Sequence, residues 1–176
     1  MTTYIQWVVS NPLFSAAVQF AILGTLGELL SHVLRTRTWT LPCKIWQVFA
    51  KIAAWAVLGI IIKYGFTGMY GFVDALVEHE LLPRACHGGI GWAIAMSVST
   101  NVFFGPQMMF IHRLEDNLIA GRWSTAGLTR AWWTLLWFWI PAHIITFSLP
   151  KDYQIGLAAL WSVVLGLIMG LTAPRK

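Results

Sequence analysis

Four ionisable side chains fall within runs that are otherwise apolar. Glu28 and His32 lie in the run Leu13 to Leu34, Lys63 follows three isoleucines, and His143 sits in the Trp-rich run Trp132 to Leu149. A charge inside a membrane helix is costly unless it is paired or hydrated, so such residues mark solute paths, proton relays or bridges between helices. Glu28 and His32 are spaced i, i+4 and share one helical face, where a carboxylate favours a protonated imidazole. That pattern suits a gate or a proton-sensitive site, and equally an interfacial pair beside a loop. Lys63 either snorkels along its own helix or attracts anionic solute into a hydrated path. His143 follows Pro141, which removes a backbone donor and frees a carbonyl one turn earlier. It reads as a pore-facing imidazole on a kinked helix or as a packing hydrogen-bond partner. Asn101, one turn from Ser97, bridges helices or wets a lumen, and Gln107 belongs with Glu28 and His32 toward the same end.

Other chemistry is poorly supported. Glu78-His79-Glu80 and Cys86-His87 are metal-capable types. Their spacing matches no zinc pattern, so no metal and no cofactor is expected. Cys43 and Cys86 form no CxxC pair. No phosphate-cradling loop, nucleophile elbow, zincin helix or dinucleotide fingerprint occurs, and the expectation is that the chain is not an enzyme.

The elements that must carry these residues are membrane helices. Of 176 residues, 57% are hydrophobic and only 11% charged, and the mean hydropathy is +0.66. Soluble domains carry about a quarter charged residues. Apolar runs predict an all-α bundle of five spans in one transmembrane domain, over 13–34, 48–71, 88–111, 131–149 and 153–172, with a four-span arrangement as the alternative. An amphipathic interfacial extension is expected over Phe72 to Leu82, stopped by Pro83, and a kink at Pro106. Trp39, Trp46, Trp123, Trp132 and Trp133 fall at run ends, where indole favours the membrane–water interface. Around His112, Arg113 is expected to pair with Asp116 or Asn117.

Charge orients the spans. One side collects Arg35, Arg37, Lys44, Lys51, Arg113, Arg122, Arg130, Arg175 and Lys176, and the other only Arg84 and Lys151. Nine against two places the C-terminus in the cytoplasm and the N-terminus outside. The net charge of +5 therefore reports orientation, and no basic stripe suggests nucleic acid. Cys43 and Cys86 fall on opposite sides and are expected to stay free. Met1 to Pro12 has neither a secretory nor a mitochondrial pattern, and Pro174-Arg175-Lys176 is no peroxisomal address.

Small residues should bring helices close: Gly24, Gly27 and Ser31 in the first span, Gly65 and Gly68 in the second, and Ser162, Gly166 and Gly170 in the last. The last set packs within the chain or forms the face of a homo-oligomer.

Trp139-Ile140-Pro141-Ala142-His143, then Thr146-Phe147-Ser148-Leu149-Pro150, Tyr153-Gln154 and Trp161-Ser162, resembles the C-terminal pattern of the Mpv-seventeen and peroxisomal-membrane-protein-twenty-two family. Gly27-Glu28 with His32, and Gly65, Gly68 and Tyr70, are similar to its earlier motifs. Glu28 stands for the customary Asp, His32 and His143 for Gln, and Thr146 for Asn, so the resemblance implies a distant, prokaryotic branch. It implies a small integral protein of inner or organellar membranes with channel activity toward small solutes and no enzyme chemistry.

Counted along ideal helices from the cytoplasmic end, Glu28 lies about 9 Å deep, Asn101 about 15 Å, and Lys63 and His143 about 18–20 Å. The expected function is a passive channel or transporter for small polar or anionic solutes in a prokaryotic cytoplasmic membrane, with the lipid bilayer and the solute as partners. Lys63 and His143 would set polarity near the midplane, and Glu28 and His32 would tune a gate. The rival is a non-conducting structural or lipid-binding protein, in which these groups form isolated bridges and share no cavity.

Overall fold

The computed structural model describes residues 3–172; Arg175 and Lys176, counted in the charge balance, lie outside the described residues. Among the described residues the secondary structure is entirely helical: α1 (Thr3–Ser10), α2 (Pro12–Thr36), α3 (Ile45–Glu78), a short 3₁₀ turn (Arg84–Cys86), α4 (Gly89–Ser99), α5 (Gly105–Ala120), α6 (Leu128–Thr134), α7 (Ile140–Phe147) and α8 (Lys151–Leu171). Single π-helical turns, Thr100–Phe104 and Leu135–Trp139, weld α4 to α5 and α6 to α7. Five rods result: α2, α3, α4–α5, α6–α7 and α8.

Four rods are long and apolar enough to cross a membrane: Pro12–Thr36, Ile45–Glu78, Gly89–Ala120 and Lys151–Leu171. Their outer faces carry Phe14, Ile22, Val57 and Phe103 exposed. Large apolar side chains distributed over the outside as well as the inside are what a lipid environment requires of a helix.

The ends of these elements follow from local chemistry. Pro12 starts α2 with its missing donor at a position where no intrahelical bond is needed, and Arg37 ends it in the left-handed region with its N–H on Val33 O. The Gln47 side chain accepts from the Lys44 N–H at 3.0 Å and opens α3. That helix continues without a break past Lys63 and its glycines to Glu78, 34 residues in all. The expected interfacial segment is thus its continuation, and the turn at His79 and Glu80 (φ 56°) ends it before Pro83. Both π turns precede a proline, Pro106 and Pro141, each near the start of the next α-helix. A proline cannot donate to the carbonyl one turn back and crowds it; a wider turn relieves that contact.

The rods close into a ring. α2 packs on α3 and α8, α3 on α5, α4 on α7, and α7 on α8. An odd number of alternating rods leaves first and last side by side and parallel, and small residues make that seam. A Cβ on Gly27 would lie 2.6 Å from Ser162 O, and one on Gly170 would lie 2.9 Å from the Ser31 Cα, while Gly166 sits on the Gly27 backbone. The Ser162, Gly166 and Gly170 face is therefore filled within the chain. Gly24 receives Trp55 and Gly65 receives Phe104. Gly68 meets no atom, so its expected packing role is not found. α1 has no counterpart among the expected spans. Tyr4 fixes it by donating to Gln19 Oε1 at 2.8 Å and stacking on Tyr153, and burial pushes its phenol above the usual range.

Candidate functional site

A cavity of about 90 Å³ lies on the ring axis, and every rod contributes to its wall. Phe20 comes from α2, Leu58 from α3, Asn101 from the first π turn, Leu135 from the second and Ala158 from α8. The two π turns matter here, because both supply lining residues where the ladder is widened. π turns of this kind recur at functional positions. The accessible wall is apolar.

In that wall Asn101 Nδ2 lies 3.0 Å from His143 Nδ1 and donates to Ser97 O at 2.8 Å. A carbonyl only accepts, so the second bond fixes the amide's orientation. His143 Nδ1 is then the acceptor, and the neutral ring carries its proton on Nε2. Ser97 Oγ donates to Ile140 O at 2.7 Å, tying the same two rods. The His143 ring is enclosed by Phe66 (edge-on, centroids 5.5 Å), Trp139 and Phe147.

One end of the cavity is closed by charge. Lys51 Nζ stands 2.7 Å from Glu28 Oε2 and 2.6 Å from Asp116 Oδ1, joining α2, α3 and α5. Glu28 Oε1 also accepts from Trp55 Nε1 at 2.8 Å, and His112 Nε2 lies 3.8 Å from it. The Trp55 and His112 rings, 4.7 Å apart, form the lid between this cluster and the cavity.

The opposite end holds a second cavity of about 170 Å³ between α3 and α8. Lys63, Thr67 and Tyr70 face Lys151, Gln154 and Ile155 across it. Phe66, buried, belongs to both cavities and is the partition between them.

The residues singled out from sequence are thus distributed unequally. Asn101 and His143 meet and share the axial cavity. Glu28 turns to Lys51, Trp55 and His112; among the described residues no bond joins it to His32, whose ring reaches Thr40 Oγ1 at 3.2 Å. Lys63 lines the second cavity and is not among the residues that wall the chamber holding His143. Gln107 and Pro141 are exposed and line neither. Asp116 pairs with Lys51, and Asn117 holds the Ser124 backbone (3.1 and 3.2 Å), so Arg113 takes neither expected partner. Lys51, Trp55, His112, Phe66, Tyr70 and Lys151 were not singled out. Their sequence signal is spacing: Lys51 with Trp55, and His112 with Asp116, each stand i, i+4 at the edge of an apolar run. Cys43 and Cys86 are free, and among the described residues no three His, Cys, Asp or Glu side chains come together as metal ligands.

Comparison with protein-family models, with characterised proteins and with solved structures finds no match.

Proposed function

We propose that the chain crosses a prokaryotic cytoplasmic membrane five times and forms a passive, gated path for small polar or anionic solutes. The fifth crossing is α6–α7. It is helical over 128–147, and 20 residues span about 30 Å, the thickness of the hydrocarbon core. It runs beside α4–α5 over the same height, with Leu135 against Gly105 and Ile140 against Ser97. Its tryptophans lower its hydropathy but suit the interface. The charge balance sets the orientation, with the Glu28–Lys51–Asp116 cluster toward the cytoplasm. The resemblance to the Mpv-seventeen and peroxisomal-membrane-protein-twenty-two family supports the same reading, and no enzymatic reaction is part of it.

The observation that carries the proposal is the axial series. A two-lysine cavity, the Phe66 partition, a central chamber walled by all five rods, and a charged lid follow one another along the ring. An apolar chamber between polar ends is the form of a closed hydrophobic gate. The rival, a non-conducting structural protein, draws its support from Glu28, whose carboxylate is fully engaged in bonds between helices.

Reconstitution in liposomes tests the two. Wild-type protein is expected to pass small anions slowly above empty vesicles, and Phe66→Ala, which merges the cavities, to pass them about tenfold faster, the gain from removing roughly 1.4 kcal/mol of barrier. Flux at the empty-vesicle level for both proteins, with the fold intact by circular dichroism, overturns the channel reading and leaves the structural one.

A further inference from the structure

We infer that the cavity between α3 and α8 is a binding site for a phosphate group, held between Lys63 and Lys151. The inference builds on the reading of Lys63 as an anion-attracting residue, but binding is measured without flux. Lys63, Thr67 and Tyr70 recur at i, i+4 and i+7 and so share one face of α3. Lys151 and Gln154 stand i, i+3 on the first turn of α8, opposite them. Among the described residues neither lysine, Lys63 half-buried and Lys151 exposed, has a carboxylate within ion-pair distance. Two uncompensated ammonium groups around a cavity of about 170 Å³ make a locus of positive potential.

The remaining polar side chains of the wall are already committed, which leaves the two ammonium groups as its available donors. Tyr70 Oη donates to Gln154 Oε1, and Gln154 Nε2 donates to Leu149 O at 2.8 Å. Thr67 Oγ1 donates to Lys63 O at 2.9 Å. The Lys151 ammonium lies 4.2 Å above the Tyr70 ring, held over the cavity by cation–π attraction. Asp74, one turn beyond Tyr70, is engaged by the Trp92 indole at 3.1 Å, and Asp152 adjoins Lys151 outside the lining. The wall therefore contains no acid. It also begins the 21-residue helix α8, whose positive dipole end adds to the lysines. Two ammonium groups offer up to six donors and no acceptor, a set that matches the several oxygens of a phosphate better than a single carboxylate. A free phosphate and a lipid headgroup present this same group, and the site lies beside the Pro150 corner, where both can reach it.

Purified protein in detergent, titrated with inorganic phosphate by calorimetry, is expected to bind saturably. Lys63→Met and Lys151→Met should each weaken binding about tenfold or more, as expected for loss of one charge-assisted contact. On the wild-type chain, phosphate should shield Lys63 and Lys151, but not Lys44, from acylation read by mass spectrometry. Should the variants fail to fold, this shielding carries the test. The source is separated by nanodiscs of phosphatidylglycerol: retention of that lipid and no competition by inorganic phosphate assigns the headgroup, and competition assigns the free anion. Absence of both phosphate binding and lipid retention, or either one unchanged in Lys63→Met/Lys151→Met, overturns the site. Phosphate binding without flux in liposomes retains the site and discards the channel; flux without binding does the reverse.

Discussion

The side-chain amide of Asn101 joins His143 Nδ1 across 3.0 Å and sends its second bond to Ser97 O, so one amide sets both the tautomer and the position of a buried imidazole. Replacing Asn101 with Leu leaves Nδ1 without a donor. The expected cost is about 1–3 kcal/mol, the desolvation penalty of a buried polar atom. Thermal unfolding in detergent checks it, and Asn101→Leu/His143→Leu should recover part of the loss. A double variant as unstable as the sum of the singles would mean the two side chains are not coupled.

Lys51 holds two carboxylates from different helices. Lys51→Met should destabilise by about 3 kcal/mol, because Glu28 and Asp116 are left facing each other. Adding Glu28→Gln should restore stability, since only one carboxylate then remains. A cycle with no coupling energy would show that the three charges act independently.

Two glycines give opposite expectations. Gly27→Val drives side-chain atoms into the α8 backbone, since even its Cβ would lie 2.6 Å from Ser162 O; a loss of about 1–3 kcal/mol follows. Gly68→Ala meets no atom within contact range and should stabilise α3 by about 0.5–1 kcal/mol through helix propensity. Unfolding midpoints of the two variants should move in opposite directions.

Orientation is tested by an impermeant thiol reagent. With intact cells, Cys86 should label and Cys43 should not until the membrane is opened. Equal labelling of both from outside refutes the orientation inferred from charge.

The helical class and four membrane-length rods were legible because an apolar run of twenty or so residues has one structural solution in lipid. Depth was legible too, since rise per residue is fixed: Asn101 and His143 were placed within about 5 Å of one level. Rotation about each axis was not. In a run apolar on every side, periodicity cannot say which face turns inward, so Glu28 was assigned to His32 on its own helix when Lys51 of α3 was closer. The same ambiguity hid Phe66, which looks like any other apolar residue yet separates two cavities. Gln107 differs for the complementary reason: its polarity suggests the interior, and the helix turns it out. That the second span and the extension expected after it form one unbroken helix, Ile45–Glu78, also resisted sequence reading, because several glycines weaken the local signal that ring packing overrides.

The parallel seam between α2 and α8 gives the ring an order of assembly. Its contacts, such as Gly27 with Ser162 and Gly166, join residues more than 130 positions apart, and no earlier pair of rods can substitute for them. Until α8 is in place the central chamber lacks Ala158 and Ser162 and stands open sideways to lipid. A growing chain thus remains an unfinished ring until its last helix arrives, and the narrow step between two helices built of glycine and serine is the latch that ends its biogenesis.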